Sequence, residues 1–366
     1  MPNNNARISG GDRDGNRRNV SLPYTLTVIA TYRCTAACEH CCFQSNPYIQ
    51  GRVPQDRLIA YIDQAAEIGS IQVVCFSGGE PFLLGQDLVE LVERCSRHGL
   101  LTRVVTNGYW AVNDDGTRLW LSNLVEAGLN EINFSTGDDH QKFVPLERIV
   151  RGMAISLEFG LTQALMIEDR LGRAVGKQTV LDLAVKYPDL NTAIINGEVS
   201  ILESPWMEFS TDGYKIEQHQ ALKVNSANVH LREPCKSVLS TIVVTPSEQL
   251  GVCCGLPRQE IPELHAGDLK MLPMKQLIDK ALSDFINIWL FVEGPEKILA
   301  WAAQHDTSIE WEDKYAHNCD ACRAIFKDSR VMTAIRKYHH EKLNEILMRF
   351  AAFQHGNFAC EEHVGS

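Results

Sequence analysis

The sequence predicts an α/β protein with a parallel sheet and helices on its outside, and three features carry that prediction. Short apolar runs of strand character alternate with longer stretches of helical spacing through most of the first 200 residues. Glycines such as Gly69 and Gly99 stand where helical stretches end, at positions suited to a C-cap. Strands separated by whole helices must also pair in parallel, because so long a connection is a crossover and cannot be a hairpin.

The elements follow in order. Residues 24–30 form the first strand. Leu58, Ile59, Ile62, Ala65 and Ala66 give residues 54–68 one apolar helical face, and residues 71–76 read as a buried strand. A helix at 85–98 and a strand at 101–106 come next. They are followed by a helix near 117–127, a strand at 131–135, a helix at 146–159 and a strand at 162–167. A helix near 178–187 and a last strand within 193–202 complete six strand–helix units. Alternation alone does not separate an open sheet from a closed barrel.

With 366 residues, 45% hydrophobic and 22% charged, the chain has material for one large domain, or for one domain and a smaller appendage. A formal net charge of -11 argues against nucleic acid and anionic membrane surfaces as partners. No apolar run reaches the length of a membrane span, and the opening residues do not read as a signal peptide. Residues 1–20, rich in Asn, Arg, Asp and Gly, read as a flexible polar tail. Twelve cysteines without a secretory signal suit a reducing cytoplasm and metal binding better than disulfides.

Directly after the first strand stands Thr31-Tyr-Arg-Cys-Thr-Ala-Ala-Cys-Glu-His-Cys-Cys42, which places Cys34, Cys38 and Cys41 in a Cys-x3-Cys-x2-Cys array. A loop of this spacing can hand three thiolates to three corners of one iron–sulfur cube and leave the fourth iron open. Zinc would prefer four ligands in paired units, and a disulfide knot would imply secretion. Cys42 is a neighbouring spare thiol. One strand–helix unit later comes Ser77-Gly-Gly-Glu-Pro81, where glycines allow close backbone approach and Glu80 offers an acceptor to an ammonium.

Together these two motifs resemble the radical S-adenosylmethionine (radical SAM) superfamily. The resemblance implies a partial (β/α)6 barrel with its chemistry at the C-terminal ends of the strands. It also implies a [4Fe–4S] cluster on Cys34, Cys38 and Cys41, whose open iron binds the methionine part of SAM before a 5′-deoxyadenosyl radical is made. Gly78, Gly79 and Glu80 match the family's Gly-Gly-Glu turn, expected to hold the methionine amine. Asn107, at the end of the third strand, fits a polar position beneath the substrate. Ser135, at the end of the fourth, fits the ribose contact. Asp138, Asp139 and His140 are candidates to touch the ribose, position a substrate or move a proton, although the same string also reads as a helix-capping turn. Arg170, beyond the fifth strand, is a candidate for the SAM carboxylate or an ordinary surface charge. After the sixth strand the family often continues into Gly-Arg-Ala. Here Met207-Glu-Phe-Ser-Thr-Asp-Gly213 stands instead, which leaves that contact unassigned.

The alternation then stops. Cys235 precedes a strand-like run at 239–245, a turn at 246–251 and Val252-Cys-Cys-Gly255, while Cys319-Asp-Ala-Cys322 supplies a distant CxxC pair. A hairpin that brings Cys235 near Cys253 or Cys254, closed by a CxxC, resembles the SPASM or shorter twitch auxiliary domains of radical SAM enzymes. That resemblance assigns one auxiliary [4Fe–4S] cluster to Cys235, Cys253, Cys319 and Cys322, with structural zinc as the alternative. Cys42, Cys75, Cys95, Cys254 and Cys360 remain, too few in the C-terminal region for a second auxiliary site. Cys75 and Cys95 read as core thiols. Cys254 is either a structural thiol or, as in the superfamily's peptide epimerases, a hydrogen-atom donor. Residues 274–298 carry helical patterning with Trp289 and Phe291 in the core. An amphipathic helix at 330–353 turns Ile335, Tyr338, Leu343, Ile346 and Leu347 to one side and leaves His339 and His340 solvated.

The expected division is a tail at 1–20, a barrel at 21–230, an auxiliary-cluster domain at 231–330 and a C-terminal helix and tail at 331–366. The leading expectation is a cytoplasmic radical SAM enzyme acting on a precursor peptide, by epimerisation or cross-linking, with an external electron donor. With no room before Tyr24 for a precursor-binding module, the peptide would bind on the barrel or on a partner. A small-molecule substrate and a non-catalytic iron–sulfur scaffold or sensor are the alternatives.

Overall fold

The computed structural model describes residues 22–207, 209 and 217–355. The predicted alternation folds in the predicted order: β1 (Thr25–Ile29), α1 (Gln55–Ile68), β2 (Val73–Ser77), α2 (Gln86–Arg97), β3 (Leu101–Thr106), α3 (Asp114–Ala127) and β4 (Glu131–Thr136). A single turn, α4 (Asp138–Gln141), closes β4 before α5 (Leu146–Glu158) and β5 (Thr162–Asp169). Next come α6 (Lys177–Ala184), α7 (Pro188–Ile195) and β6 (Ser200–Pro205). Here the expected last strand, within 193–202, needs correction. Ala193 to Ile195 end a second helix, which Pro188 opens at the position where its missing N–H is no loss. Gly197, at φ 75°, then turns the chain into β6.

Beyond the barrel come β7 (Thr241–Val244), β8 (Gln249–Gly251), β9 (His265–Asp268), α8 (Met274–Ser283), α9 (Phe285–Glu293), α10 (Pro295–His305), α11 (Asn318–Lys327), α12 (Ser329–Tyr338) and α13 (His340–Gln354). The patterning at 274–298 thus covers parts of three helices. The chain breaks at Asp284, whose side chain caps α9 through the Ile286 amide, and at Gly294, with φ 84°. The single helix expected at 330–353 is two, broken at His339. That histidine is half-buried beside Phe285 and bonds the Ile335 carbonyl, so only His340 is solvated as expected. Trp289 is fully buried; Phe291 is half-buried, and Leu347 is exposed despite its place in the pattern.

Among the described residues one sheet runs β6-β5-β4-β3-β2-β1-β7-β8-β9. β1 to β6 are parallel neighbours in sequence order, so each helix is a crossover on the outside, and the two edge strands do not pair with each other. This is a partial barrel. β7 pairs in parallel with the free edge of β1, from Thr25 opposite Thr241 to Val28 opposite Val244, and β8 and β9 continue antiparallel. The hairpin that introduces the second cysteine set therefore extends the barrel sheet.

The two-residue period of the strands sorts their side chains. Leu26, Val28, Val74, Phe76, Val104, Ile132, Phe134, Leu165 and Ile167 are buried in the main core. The alternate positions, including Thr27, Cys75, Arg103, Asn133, Ser135 and Met166, line a cavity of 520 Å³. Cys75 is buried as expected, yet it belongs to this cavity wall. Cys95 is a core thiol.

Candidate active site

The cysteine loop leaves β1 and folds over the C-terminal ends of the strands. Cys34, Cys38 and Cys41 all line the 520 Å³ cavity, together with Cys42, Gly78, Gly79, Asn107, Ser135, His140 and Cys254. Amides converge on the sulfurs: Ala36 N–H and Asn107 Nδ2 lie 3.4 and 3.5 Å from Cys34 Sγ, and Ser45 N–H lies 3.4 Å from Cys41 Sγ. Burial pushes the Cys34 thiol up to about 11, and burial also raises Cys38. Such thiols keep their protons at neutral pH until a metal replaces them. Several sulfurs facing one cavity with N–H donors behind them are a donor set that fits an iron–sulfur cluster.

The Gly-Gly-Glu turn is shaped by this loop. Gly79 N–H donates to Thr31 O and Glu80 N–H to Arg33 O, each at 3.0 Å. A Cβ on Gly79 would fall 2.0 Å from Arg33 O, and Gly78 sits at φ 123° with Thr31 O 2.8 Å from its would-be Cβ. Glycine is required because backbone meets backbone here. Gly79→Ala is expected to prise the two loops apart and prevent cluster loading, which iron content after anaerobic reconstitution would reveal.

Glu80 is fully buried. Its Oε1 accepts from Phe82 N–H (3.1 Å) and Thr106 Oγ1 (2.9 Å), and its Oε2 accepts from Asn107 N–H (2.9 Å). Burial pushes its carboxyl up to about 7, against these three hydrogen bonds. Oε2 keeps one lone pair for a further donor. Glu80→Ala would strand three buried donors and is expected to destabilise the fold by on the order of 3 kcal/mol, with Glu80→Gln losing less. Denaturant midpoints of the two variants would check this.

The remaining predicted residues divide. Asn107 is tied to the loop itself, through Cys34 Sγ and Thr35 Oγ1 at 3.1 Å. Ser135 and His140 face the cavity. Asp138 accepts from the Ala174 and Val175 amides and from Arg170 Nη2 at 3.1 Å, which braces the segment after β5. Cys360 lies outside the described residues, as do Glu208 and residues 210–216 in the stretch after the sixth strand.

Sequence reasoning missed His40. Its buried ring lies between Asp139, at 2.8 Å from Nδ1, and Glu168, which pairs with Nε2. Glu168 also stands 3.3 Å from His140 Nδ1, and its Oε1 accepts the Asp139 amide. Burial pushes the Glu168 carboxyl up, but hydrogen bonds from His140 and His40 outweigh it and hold the group at about 2. Burial pushes His40 down, yet its bonds to Asp139 and Glu168 leave it raised. Trp206, after β6, donates from Nε1 to the His40 carbonyl at 3.0 Å. The loop is thereby clamped to the ends of β4, β5 and β6. The available signal was a histidine immediately before the third array cysteine.

A second cavity, of 290 Å³, is lined by Cys235, Cys253, Cys254, Cys319 and Cys322. A Cβ on Gly255 would sit 3.2 Å from Cys253 Sγ and 3.5 Å from Cys319 Sγ, so a glycine keeps this cradle open. His317 caps α11, its Nδ1 accepting the Cys319 amide at 3.0 Å. Burial pushes the Cys253 thiol up to about 12 and raises Cys235, Cys319 and Cys322. Cys254 is exposed, lines both cavities, and has its sulfur 3.1 Å from Ser237 Oγ.

This geometry agrees with the comparisons. Residues 28–162, which contain the cysteine loop and the Gly-Gly-Glu turn, match the model of the Radical SAM superfamily. A radical SAM domain holds a [4Fe–4S] cluster and SAM. Among individual proteins, the chain is 24% identical over 215 residues to the "Putative peptide biosynthesis protein YydG" of Bacillus subtilis (strain 168), covering 57% of this chain. It spans 58% of that relative's length. The fold is also similar to that of anSMEcpe solved with AdoMet and Cp18Cys peptide, with TM-score 0.50 and 12% identity over 88% of this chain and 99% of that one. No helix among the described residues is long and apolar enough to cross a membrane.

Proposed function

We propose that this chain is a cytoplasmic radical SAM enzyme that abstracts a hydrogen atom from carbon of a ribosomally made peptide, with epimerisation the outcome its geometry favours. The observation that carries this reading is the place of Cys254, which lines both the cavity of the first cysteine set and that of the second. A relative described as a peptide biosynthesis protein supports a peptide substrate.

The first cluster, with SAM bound, supplies the 5′-deoxyadenosyl radical. Cys34, Cys38 and Cys41 would hold that cluster, and the lone pair left on Glu80 Oε2 would accept from the methionine amine. Ser135 and His140 line the space left for the nucleoside and substrate. After a Cα hydrogen has been taken, the Cys254 S–H gives its hydrogen atom to the opposite face: a C–H bond forms, an S–H bond breaks and a thiyl remains. One electron from an external donor and one proton restore the thiol. Ser237 accepts the Cys254 amide at 3.0 Å and holds the sulfur in place.

Cys235, Cys253, Cys319 and Cys322 would hold the auxiliary [4Fe–4S] cluster. Structural zinc on the same four thiolates is the alternative, and iron and zinc analysis of the anaerobically reconstituted protein decides between them.

The test is anaerobic protein loaded with iron and sulfide, given dithionite and SAM in deuterium oxide, with short peptides encoded by the reading frames that neighbour its gene. Release of 5′-deoxyadenosine and one deuterium at an inverted Cα is expected. Cluster-loaded protein that cleaves no SAM with these peptides present would overturn the proposal.

A further inference from the structure

Arg258 is among the largest fully buried side chains, with 2% exposure, and no carboxylate lies within ion-pair distance of it among the described residues. A guanidinium is always charged, and a buried charge without an opposite charge is strongly disfavoured. Its contacts are neutral or weak. Nη1 lies 3.3 Å from His265 Nε2, and Nη2 has no partner. Burial, and then the charge of Arg258 itself, hold His265 below its ordinary range, so this imidazole accepts and adds no negative charge.

The fold makes room for this cation at one particular place. Arg258 lies in the turn Leu256–Glu260, its amide bonded to Gly255 O at 3.2 Å, and Gly255 is the residue against which the Cys253 and Cys319 sulfurs converge. The side chain folds back over Gly251, where a Cβ would stand 2.6 Å from Arg258 Cδ, so glycine at the end of β8 admits it. On its other side Tyr32 stacks with Phe43 at 5.7 Å, at the base of the first cysteine loop. A Cβ on Gly251 would also stand 3.2 Å from Arg258 Nε and 3.3 Å from Nη1, so the guanidinium lies over the end of β8, two residues before Cys253.

We propose that Arg258 is the built-in counter-cation of the auxiliary cluster, matched by the negative charge of the cluster and its thiolates, and that it raises the cluster's reduction potential. This rests on the auxiliary-cluster reading above. A four-thiolate cube gains one more negative charge on reduction, and a fixed buried cation beside it favours the reduced form. Arg258 is thus a positioning and charge-compensating residue; it has no contact with substrate.

The test is a redox titration of the auxiliary cluster followed by electron paramagnetic resonance, in the Cys34/Cys38/Cys41→Ala background, where the other cluster is absent. Arg258→Gln, which keeps much of the shape and removes the charge, is expected to lower the ratio of reduced to oxidised cluster at a fixed potential at least tenfold, a shift of about 59 mV for a one-electron couple. Arg258→Lys keeps the charge and is expected to restore most of it. Equal midpoints in Gln variant and parent, or identical shifts in Gln and Lys variants, would overturn the proposal, because shape and not charge would then matter. Iron and zinc analysis of the same samples separates the two failures. A background protein without cluster iron overturns the auxiliary-cluster reading and this inference with it, whereas a full iron complement with an unmoved potential overturns the inference alone.

Discussion

Alanine at Cys34, Cys38 and Cys41 together is expected to abolish release of 5′-deoxyadenosine while leaving the fold and the second cysteine set in place. The three sulfurs line one cavity, and the amides of Ala36 and Ser45 and the side chain of Asn107 point at them, so their loss removes the donor set as a unit. The loop itself should persist. It is held through His40 by Asp139, Glu168 and Trp206, and through the Cys34 amide by Asn46 O at 3.2 Å, none of which needs the sulfurs. Circular dichroism should therefore match the parent, and about half of the iron should remain, bound by the second set. Loss of all iron would mean that the second set holds no cluster. Continued nucleoside release would remove the radical SAM assignment of this loop.

Cys254→Ala is expected to abolish the inverted product while SAM cleavage continues. The substitution removes one S–H bond and leaves Cys34, Cys38, Cys41 and Glu80 untouched, so radical generation should proceed. Cys254 is exposed to the cavity and its neighbour Cys253 is buried, which separates a donor from a ligand within one dipeptide. The substrate radical, deprived of its hydrogen source, should partition into by-products, giving nucleoside release uncoupled from the inverted product. Chiral amino-acid analysis of the peptide beside a 5′-deoxyadenosine assay measures both quantities. Unchanged inverted product would place the hydrogen donor elsewhere and leave Cys254 as a structural thiol held by Ser237; absence of inverted product from the parent as well would leave cross-linking or oxidation as the reaction. Loss of iron instead would mark Cys254 as a cluster ligand.

Much of this site was legible in the sequence because its motifs are local. The cysteine spacing is set by one loop. The Gly-Gly-Glu turn follows one strand directly, and both stand at strand ends that apolar periodicity locates. The extra helix α7 was not legible, because Leu190, Ala193 and Ile194 are buried in a stretch whose short apolar run also suits a strand. The brace role of Asp138 was hidden for another reason. Its partners, the amides of Ala174 and Val175, lie more than thirty residues away, on the far side of β5.

The sequence by itself determined the α/β alternation, the three-cysteine array, the Gly-Gly-Glu turn and the second cysteine set, since each depends on residue type and short spacing. The tertiary structure decided which of those residues meet. Pairing of β7 with the free edge of β1 joins the cysteine-bearing hairpin to the barrel sheet, and Cys254 lines both cavities. Strand register turned Cys75 and Arg103 toward the cavity and Phe76 and Val104 into the core. Only the fold could pair His40 with Asp139, 99 positions away, or bury Arg258 over Gly251 without a carboxylate. Such contacts arise from the packing of distant segments, where burial strengthens each charge and no short-range pattern records the partner.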